Sequence, residues 1–495
     1  MTRVATTARE LIDRVVEAGS FVCWDTPPER GDISPEYAAQ LAAAAERSGE
    51  DEALITGEAL VRGRRVALVA GEFAFLAGSI GVAASRRLIA AVERATAEGL
   101  PLLASPTSGG TRMQEGTVAF VEMARISAAV ARHKDAGLPY LVYLRHPTTG
   151  GVMASWGSLG HITVAEPGAL LGFLGPRVYE ALYGESFPPG VQTAENLFAH
   201  GLIDGVVPPE ELPAIVERAL AVLTAPAPAP VPDPLADAPA PDGDIDAWES
   251  ITRSRDAHRP GVRQLLRLAA SEVIPLNGTG EGESDPGMLL ALARFEGAPC
   301  VLLGQDRSTQ TELAPLGPGA LRAARRGMRL AAELRLPLVT VIDTPGAALS
   351  PEAEEGGLAG EIARCLADLV TLQSPSLTVL LGQGCGGGAL ALLPADRVIA
   401  AQHAWLSPLP PEGASAIMHR TPDRAPEMAR QQGVRASDLR AAGSVDRIVP
   451  ERPDAAQEPE EFCRRLGSVL RHELGCLAEL STPTVLARRR QRYAG

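Results

Sequence analysis

Two stretches of the chain, 236 residues apart, repeat one order of elements. Residues 86–105 (RRLIAAVERATAEGLPLLAS) read as a helix running through Leu-Pro into an apolar strand. Residues 322–341 (RAARRGMRLAAELRLPLVTV) do the same, and Leu100-Pro101-Leu102 is matched by Leu336-Pro337-Leu338. At nearly the same offset Gly150-Gly151 meets the glycines of GQGCGGGALAL (382–392), and LIDGVVP (202–208) is similar to SVDRIVP (444–450). Identity is low but the landmarks keep their order, which implies two copies of one α/β domain. Between them lies APAPAPVPDPLADAPAPDGD (225–244). Alternating Ala-Pro cannot form a regular helix or a central strand, because proline lacks the N–H and fixes φ, so a semi-extended spacer is expected. The expected division is therefore a first domain over 1–224, a linker over 225–244 and a second domain over 245–495.

Each half follows one plan. An apolar strand (RVALVAG, 65–71; PCVLLG, 299–304) leads through a long helix to a short buried strand, then through a Gly- or Pro-rich turn to another helix. A further strand follows (PYLVYLR, 139–145; SLTVLLG, 376–382). Continuous apolar strands bounded by helices belong in the buried sheet of an α/β layer structure.

The net charge of -14 disfavours nucleic acid and anionic membrane surfaces as partners. The six cysteines contain no CxxC or CxxH pair, so neither a zinc site nor any other metal site is expected. No signal-like or membrane-spanning apolar run occurs, and a cytoplasmic location is expected. Of the 46 basic residues only Lys134 is a lysine. Chemistry that needs a lysine amine must use Lys134 or take place on another chain.

Glycine after a buried strand lets the backbone approach a ligand and lets successive N–H groups converge on one oxygen. Four such places occur: Ser108-Gly109-Gly110, Pro147-Thr148-Thr149-Gly150-Gly151, Thr344-Pro345-Gly346, and Gly384 to Gly388. None has the spacing of a nucleotide P-loop, and GQGCGG lacks the acidic residue a dinucleotide site needs about 20 residues on. The alternative use is an oxyanion hole, in which two backbone N–H groups stabilise a thioester enolate without any ionisable side chain. Conventional catalytic groups are scarce nearby. Glu115 reads as a salt-bridge or helix-start carboxylate, Cys385 as a small buried cysteine, and Asp343 as the cap of its DTPG turn. His146, His403 and His419 have no metal-like spacing.

These segments carry a family resemblance. SGGTRMQEG (108–116), AGLPYLVYLRHPTTGGVMASWGSLGHITVAEPGALLGFLGPRV (136–178) and HGLIDGVVP (200–208) resemble the β-type carboxyltransferase subunit of bacterial acetyl-CoA carboxylase. IDTPGA (342–347), EIARCLADL (361–369), GCGGGALALLPADRVI (384–399) and PPEGASAIM (410–418) resemble the α-type subunit, and DAHRPG (256–261) looks like its HPxRP segment. The chain thus resembles a fused β–α carboxyltransferase. The resemblance implies two tandem crotonase-like domains of the ClpP/crotonase β-β-α superhelix type, an α/β fold. It implies transfer of a carboxyl group from N-carboxybiotin to the α-carbon of acetyl-CoA or a short acyl-CoA, giving malonyl-CoA in the first case. The acyl-CoA enolate would lie against Gly150 and Gly151 and the biotin ureido oxygen against Gly387, Gly388 and Ala389. Gly109, Gly110 and Arg112 would shape the CoA side. Family members pair the two kinds of domain across a dimer, so a homodimer or a trimer of dimers is implied. Biotin is attached to a lysine within a Met-Lys-Met turn, which Lys134 in ARHKDAGLP does not offer. A separate biotin carboxyl carrier protein and a separate biotin carboxylase are therefore implied. The four-Cys zinc ribbon that opens the β-type subunit has only Cys23 in its place, so no zinc is expected. After IDTPGA the sequence runs Ala348-Leu349-Ser350 where Tyr-Pro-Gly is usual. These departures keep open a specialised carboxyltransferase or decarboxylase of a secondary pathway, and an inactive homologue that serves as a binding subunit.

Overall fold

The computed structural model describes residues 5–236, 245–311 and 313–494. The chain forms two compact units: residues up to Thr224 together with Gly280–Gly282, and the rest from Ala225 onward. In the first unit the strands are β1 (Val22–Cys23), β2 (Leu54–Val61), β3 (Arg64–Gly71), β4 (Leu102–Ser105), β5 (Tyr140–Leu144), β6 (Thr148–Thr149), β7 (Ile162–Ala165), β8 (Leu171–Gly172) and β9 (Gly205–Val206). They build one sheet in the order β1-β2-β3-β4-β5-β7-β9 and a two-stranded sheet of β6 and β8. The β2–β3 pair is an antiparallel hairpin, and from β3 to β9 every pairing is parallel.

The second unit contains β10 (Ala270–Leu276), β11 (Met288–Phe295), β12 (Ala298–Gln305), β13 (Leu338–Thr344), β14 (Ser376–Cys385), β15 (Arg397–Ala401), β16 (Trp405–Ser407) and β17 (Arg447–Val449). Their order, β10-β11-β12-β13-β14-β15-β17 with β16 on the end of β14, repeats the first sheet. The register repeats too. Leu102 pairs with Tyr140 and Leu338 with Ser376, each pair the other's counterpart at the 236-residue offset. The isolated bridges Ile80–Thr111 and Leu316–Ala347 stand at the same offset.

The parallel strands are joined by amphipathic helices whose apolar spacing sets their burial. In the helix Val82–Ala97, Ala84, Leu88, Ala91, Val92 and Ala95 form one stripe, the i, i+3, i+4 pattern of a face turned to a core. That stripe packs with Val69, Leu102 and Val142 of the sheet and Ile126 and Val130 of the helix Gly116–Asp135. In the second unit Pro318 opens the helix Pro318–Leu334, where its missing N–H costs nothing. Leu321, Ala324, Met328 and Ala331 are buried on its inner face. Burying a Leu, Val or Met side chain contributes roughly 1.5–3 kcal/mol.

The Ala/Pro stretch forms no helix or strand over residues 225–236 and groups there with the second unit, and residues 237–244 lie outside the described ones. Asp233 forms a two-pronged ion pair with Arg447 at 2.6 and 2.7 Å, and the carbonyls of Ala229 and Val231 meet Arg471 and His472. Proline-rich backbone makes no ladder of its own, but its carbonyls remain strong acceptors. The C-terminal RRRQR (488–492) is only partly exposed to solvent. It lies in the helix Thr482–Tyr493, where Arg489 is fully buried, paired with Asp396 and donating to the carbonyls of Leu369, Leu372 and Ser374. Among the described residues no helix is long and apolar enough to cross a membrane, and no cluster of His, Cys, Asp and Glu is arranged to hold a metal ion.

Candidate active site

In the first unit two loops leave the C-terminal ends of β4 and β5 and run side by side. The amide of Ser108 donates to the carbonyl of Pro147, and that of Thr149 to the carbonyl of Ser108, both at 2.8 Å. This brings Gly109-Gly110 against Gly150-Gly151. Gly110 and Gly150 have φ of 113° and 63°. A Cβ on Gly150 would sit 3.2 Å from the Gly110 Cα, and one on Gly110 would sit 3.5 Å from the Gly150 Cα. The crossing thus demands glycine for conformation on both sides and for space at Gly150.

The amides at this crossing are not equivalent. Gly109 donates to the Ala77 carbonyl at 2.8 Å and Gly110 to the Ser108 hydroxyl at 3.0 Å. Gly150 donates to the carbonyls of Phe173 and Gly172, at 2.9 and 3.2 Å. The expected pairing of Gly150 with Gly151 as donors is therefore altered: the Gly150 N–H is occupied inside the fold. The Gly151 amide has no acceptor among the described residues, and Gly151 is only half-buried. It opens a single helical turn closed by the bond from Ala154 to Gly150, which leaves the first amides of that turn without partners.

Arg112 also differs from its expected place on the CoA side. Its guanidinium is fully buried, paired with both oxygens of Glu52, and donates to the Ser79 carbonyl at 2.7 Å. Burial alone lowers its pKa, but the hydrogen bond and charge of Glu52 outweigh that and raise it, so the cation persists in the core. Arg112 acts from inside, locking the loop after Gly110 to the fold. Glu115 accepts the Val82 amide at 2.6 Å, at the start of the helix Val82–Ala97, so it is a helix-start carboxylate. It also accepts the Tyr37 hydroxyl; burial first, then this bond, pushes the Tyr37 pKa up to about 12.

The sequence reading missed the turn Leu76-Ala77-Gly78, three consecutive residues with φ of 44°, 56° and 64°. Two non-glycine residues in this region carry backbone strain. The loop at Ser108 holds them: its hydroxyl donates to the Gly78 carbonyl at 2.6 Å, and Gly109 donates to that of Ala77. A phenylalanine-rich GEFAFLAGS run after a strand was the only signal, and it had no obvious chemical reading.

The second unit repeats the arrangement. Gly346 and Gly386, 236 residues beyond Gly110 and Gly150, have φ of 141° and 65°. The helix Gly386–Leu390 follows β14 directly. The amides of Gly387 and Gly388 fall in its first turn, beyond the reach of intrahelical acceptors, whereas Ala389, the fourth residue, stands i+4 from the N-cap Cys385 carbonyl, which accepts the helix's first bond. At the 236 offset Gly387 is the counterpart of Gly151. The Gly388 carbonyl accepts from Gln305 Nε2 at 2.7 Å, and Gln305 Oε1 accepts the Asp343 amide at 3.2 Å, so a buried glutamine ties this turn to β13.

Asp343 does not cap its own turn. Thr344 does, accepting the Gly346 amide at 3.2 Å, whereas buried Asp343 accepts the Gln383 amide at 3.0 Å. Burial raises the Asp343 pKa, against the attraction of Arg307. Cys385 is buried, and burial pushes its thiol up to about 11. A thiol of that pKa is a poor nucleophile at neutral pH. In DAHRPG, Arg259 is buried against Glu451 at 2.6 and 2.7 Å. Lys134 lies in the last turn of the helix Gly116–Asp135.

The same architecture occurs in transcarboxylase 12S, whose crystal structure matches 94% of this chain and 88% of that one with a TM-score of 0.74 at 22% identity. A single-chain, multi-domain long-chain acyl-CoA carboxylase matches 91% of this chain and 45% of that one, at a TM-score of 0.69 and 19% identity. The fold is two tandem crotonase-like units. A profile of the carboxyl transferase domain covers residues 2–476. The probable biotin-dependent acyl-coenzyme A carboxylase beta3 subunit of Mycobacterium tuberculosis is 60% identical over 494 residues, spanning all of this chain and 98% of that protein. The acetyl-coenzyme A carboxylase carboxyl transferase subunits beta/alpha of Salinispora tropica are 36% identical over 502 residues, spanning 97% of this chain and 88% of that protein. The chain belongs to the carboxyl transferase family of the biotin-dependent acyl-CoA carboxylases.

Proposed function

We propose that the chain moves a carboxyl group from N-carboxybiotin on a separate carrier protein to the α-carbon of an acyl-CoA, acetyl-CoA being the smallest member of that class. The observation that carries this reading is the repeated amide turn. Gly150 and Gly386 share a left-handed backbone, and each is followed by a glycine whose N–H opens a helical turn, an isolated one at Gly151 and the first turn of a short helix at Gly387. Backbone donors aimed at a developing negative oxygen stabilise an enolate without becoming charged, an effect worth about 10²–10³ in rate per donor.

In this reading the first unit holds the acyl-CoA thioester oxygen on the Gly151 amide. Gly109, Gly110 and Gly150 shape the turn, and Arg112 anchors it from within. The donors available at Gly387 and Gly388 are backbone amides, which fit a neutral ureido oxygen, and Ala389 follows them in the same turn. Bound there, biotin supplies the carboxyl group and, once that is released, a basic ureido nitrogen for the acyl α-proton. No side-chain base is then required, in keeping with Glu115, held at the start of a helix, and with the buried Asp343 and Cys385. The domain assignment proposed is acyl-CoA on the first unit and biotin on the second, with a second copy of the chain completing the assembly as a homodimer or a trimer of dimers. Transcarboxylase 12S, which shares the fold, is described as a hexamer assembly. A biotin carboxyl carrier protein and a biotin carboxylase are the proposed partners. The lone lysine, in AVARHKDAG, supports a biotin carried elsewhere.

The test is to incubate the purified chain with carboxylated carrier and acyl-CoA. A carboxylated acyl-CoA formed only in the presence of the carrier is expected. Acyl-CoA turnover without biotin, or carrier binding without turnover, would contradict the proposal.

A further inference from the structure

Beside the Gly150 turn the first unit holds a cavity of about 510 Å³. This volume lies in the range of small-molecule sites and far exceeds what an acetyl methyl fills. The cavity adjoins the turn. Gly172 and Phe173, whose carbonyls accept the Gly150 amide, form part of its wall, and so does Met153, two residues beyond Gly151. Phe187, Val191, Leu197 and Leu202 add apolar surface, and Asn196 and His200 add neutral polar and imidazole groups. Among the described residues its lining contains no carboxylate, arginine or lysine. A phosphate or carboxylate guest would lack a counter-charge there, whereas an alkyl chain would gain from every methylene removed from water.

We propose that this cavity takes the acyl chain of the substrate, so that the chain acts on medium-length straight acyl-CoAs in preference to acetyl-CoA. The inference rests on the carboxyltransferase reading for the reaction and on the cavity for the substrate class. A thioester oxygen on the Gly151 amide would leave the chain beyond the α-carbon against Met153 and Phe173, at the cavity wall. The α-carbon stays at the turn while the rest of the chain is held apart from it.

The experiment compares acetyl-, butyryl-, hexanoyl- and octanoyl-CoA as acceptors of the carboxyl group from the carrier. The expected result is a rise in kcat/KM of up to about fourfold per added methylene until the cavity is full. Val191→Trp and Leu202→Trp fill the cavity from its exposed side and should collapse the octanoyl-to-acetyl ratio. Leu60→Trp, at an exposed position of the otherwise buried β2 and outside the lining, should leave that ratio unchanged. Acetyl-CoA as good an acceptor as octanoyl-CoA would overturn the proposal, as would an unchanged ratio in both filling variants. Equal losses with every acyl-CoA would place the shared pantetheine arm in the cavity and also overturn it. A changed oligomeric mass of Val191→Trp with an unaltered ratio would make the cavity an interface between copies, again against the proposal. If no acyl-CoA is carboxylated, the transferase reading fails instead. The cavity is then read by calorimetry: acyl-CoA affinity that climbs with chain length, and stops climbing in Val191→Trp, supports the chain site, and flat affinity overturns it.

Discussion

Gly387→Pro isolates the amide that the proposed mechanism uses in the second unit. Gly387 is the second residue of the helix Gly386–Leu390, and its N–H has no intrahelical acceptor. Replacement by proline removes that donor without breaking a helix hydrogen bond, and proline is tolerated in a first turn. A Cβ at this position would have one close neighbour, Ile362 Cδ1 at 2.7 Å, the free end of a flexible side chain. Gly387→Ala carries the same Cβ and keeps the N–H, so it serves as the steric control. Loss of one donor to a developing oxyanion costs about 10²–10³ in kcat, or roughly 2.7–4 kcal/mol. The alanine variant should lose far less, and both should unfold within ~1 kcal/mol of each other in denaturant. The assay is carboxyl transfer from carrier to acyl-CoA under saturating substrate. A proline variant within tenfold of the alanine variant would refute the role given to this amide.

Other outcomes follow from the buried groups. Gln305→Leu should free the Gly388 carbonyl and lower kcat roughly tenfold while leaving KM for acyl-CoA unchanged, as initial-rate kinetics would show. Arg112→Met strands a buried Glu52 and should cost about 3–5 kcal/mol in denaturant unfolding, with much of that loss recovered in Arg112→Met/Glu52→Leu. His133 is buried beside Thr96 and the Pro139 carbonyl, and burial lowers its pKa to about 4. Between that value and its ordinary one, near 6.5, the unfolded chain binds the extra proton. Stability should therefore rise with pH across this window, be fully present above it and fall by about 3 kcal/mol on acidification through it. His133→Gln should lose that slope in unfolding curves recorded at each pH. Alkylating reagents at neutral pH should modify exposed Cys23 ahead of buried Cys385, and Cys385→Ala should keep its activity, as mass spectrometry and the transfer assay would report.

The duplication was legible because it is written in two strong local signals, apolar strands and the glycines that follow them. Leu100-Pro101-Leu102 and Leu336-Pro337-Leu338 each enter a parallel strand, and the 236 offset extends to single ladder partners. What the sequence concealed was which groups already had partners. Gly150 reads as a donor until the return of the chain at Gly172 and Phe173 supplies acceptors 22 and 23 residues later. Arg112 reads as a ligand-facing cation, but Glu52, 60 residues earlier in the chain, turns it inward. Asp343 begins a turn but accepts the amide of Gln383 on the neighbouring strand, and Thr344 takes the cap. Each difference arises from a long-range hydrogen bond that composition and spacing do not encode. The C-terminal arginines are the same case: five polar residues in a row look solvated, yet Arg489 closes the carbonyls at and just after the C-terminal end of the helix Leu358–Thr371.

At the core of the proposed mechanism is direct transfer of a carboxyl group between two partners that the chain does not itself carry. A single-turnover experiment with the carrier labelled in its carboxyl group tests it. The label should leave the carrier and appear on the α-carbon of the acyl-CoA, with none retained on the chain. Label that stays on the carrier, or is lost as carbon dioxide at the same rate with and without acyl-CoA, would contradict direct transfer.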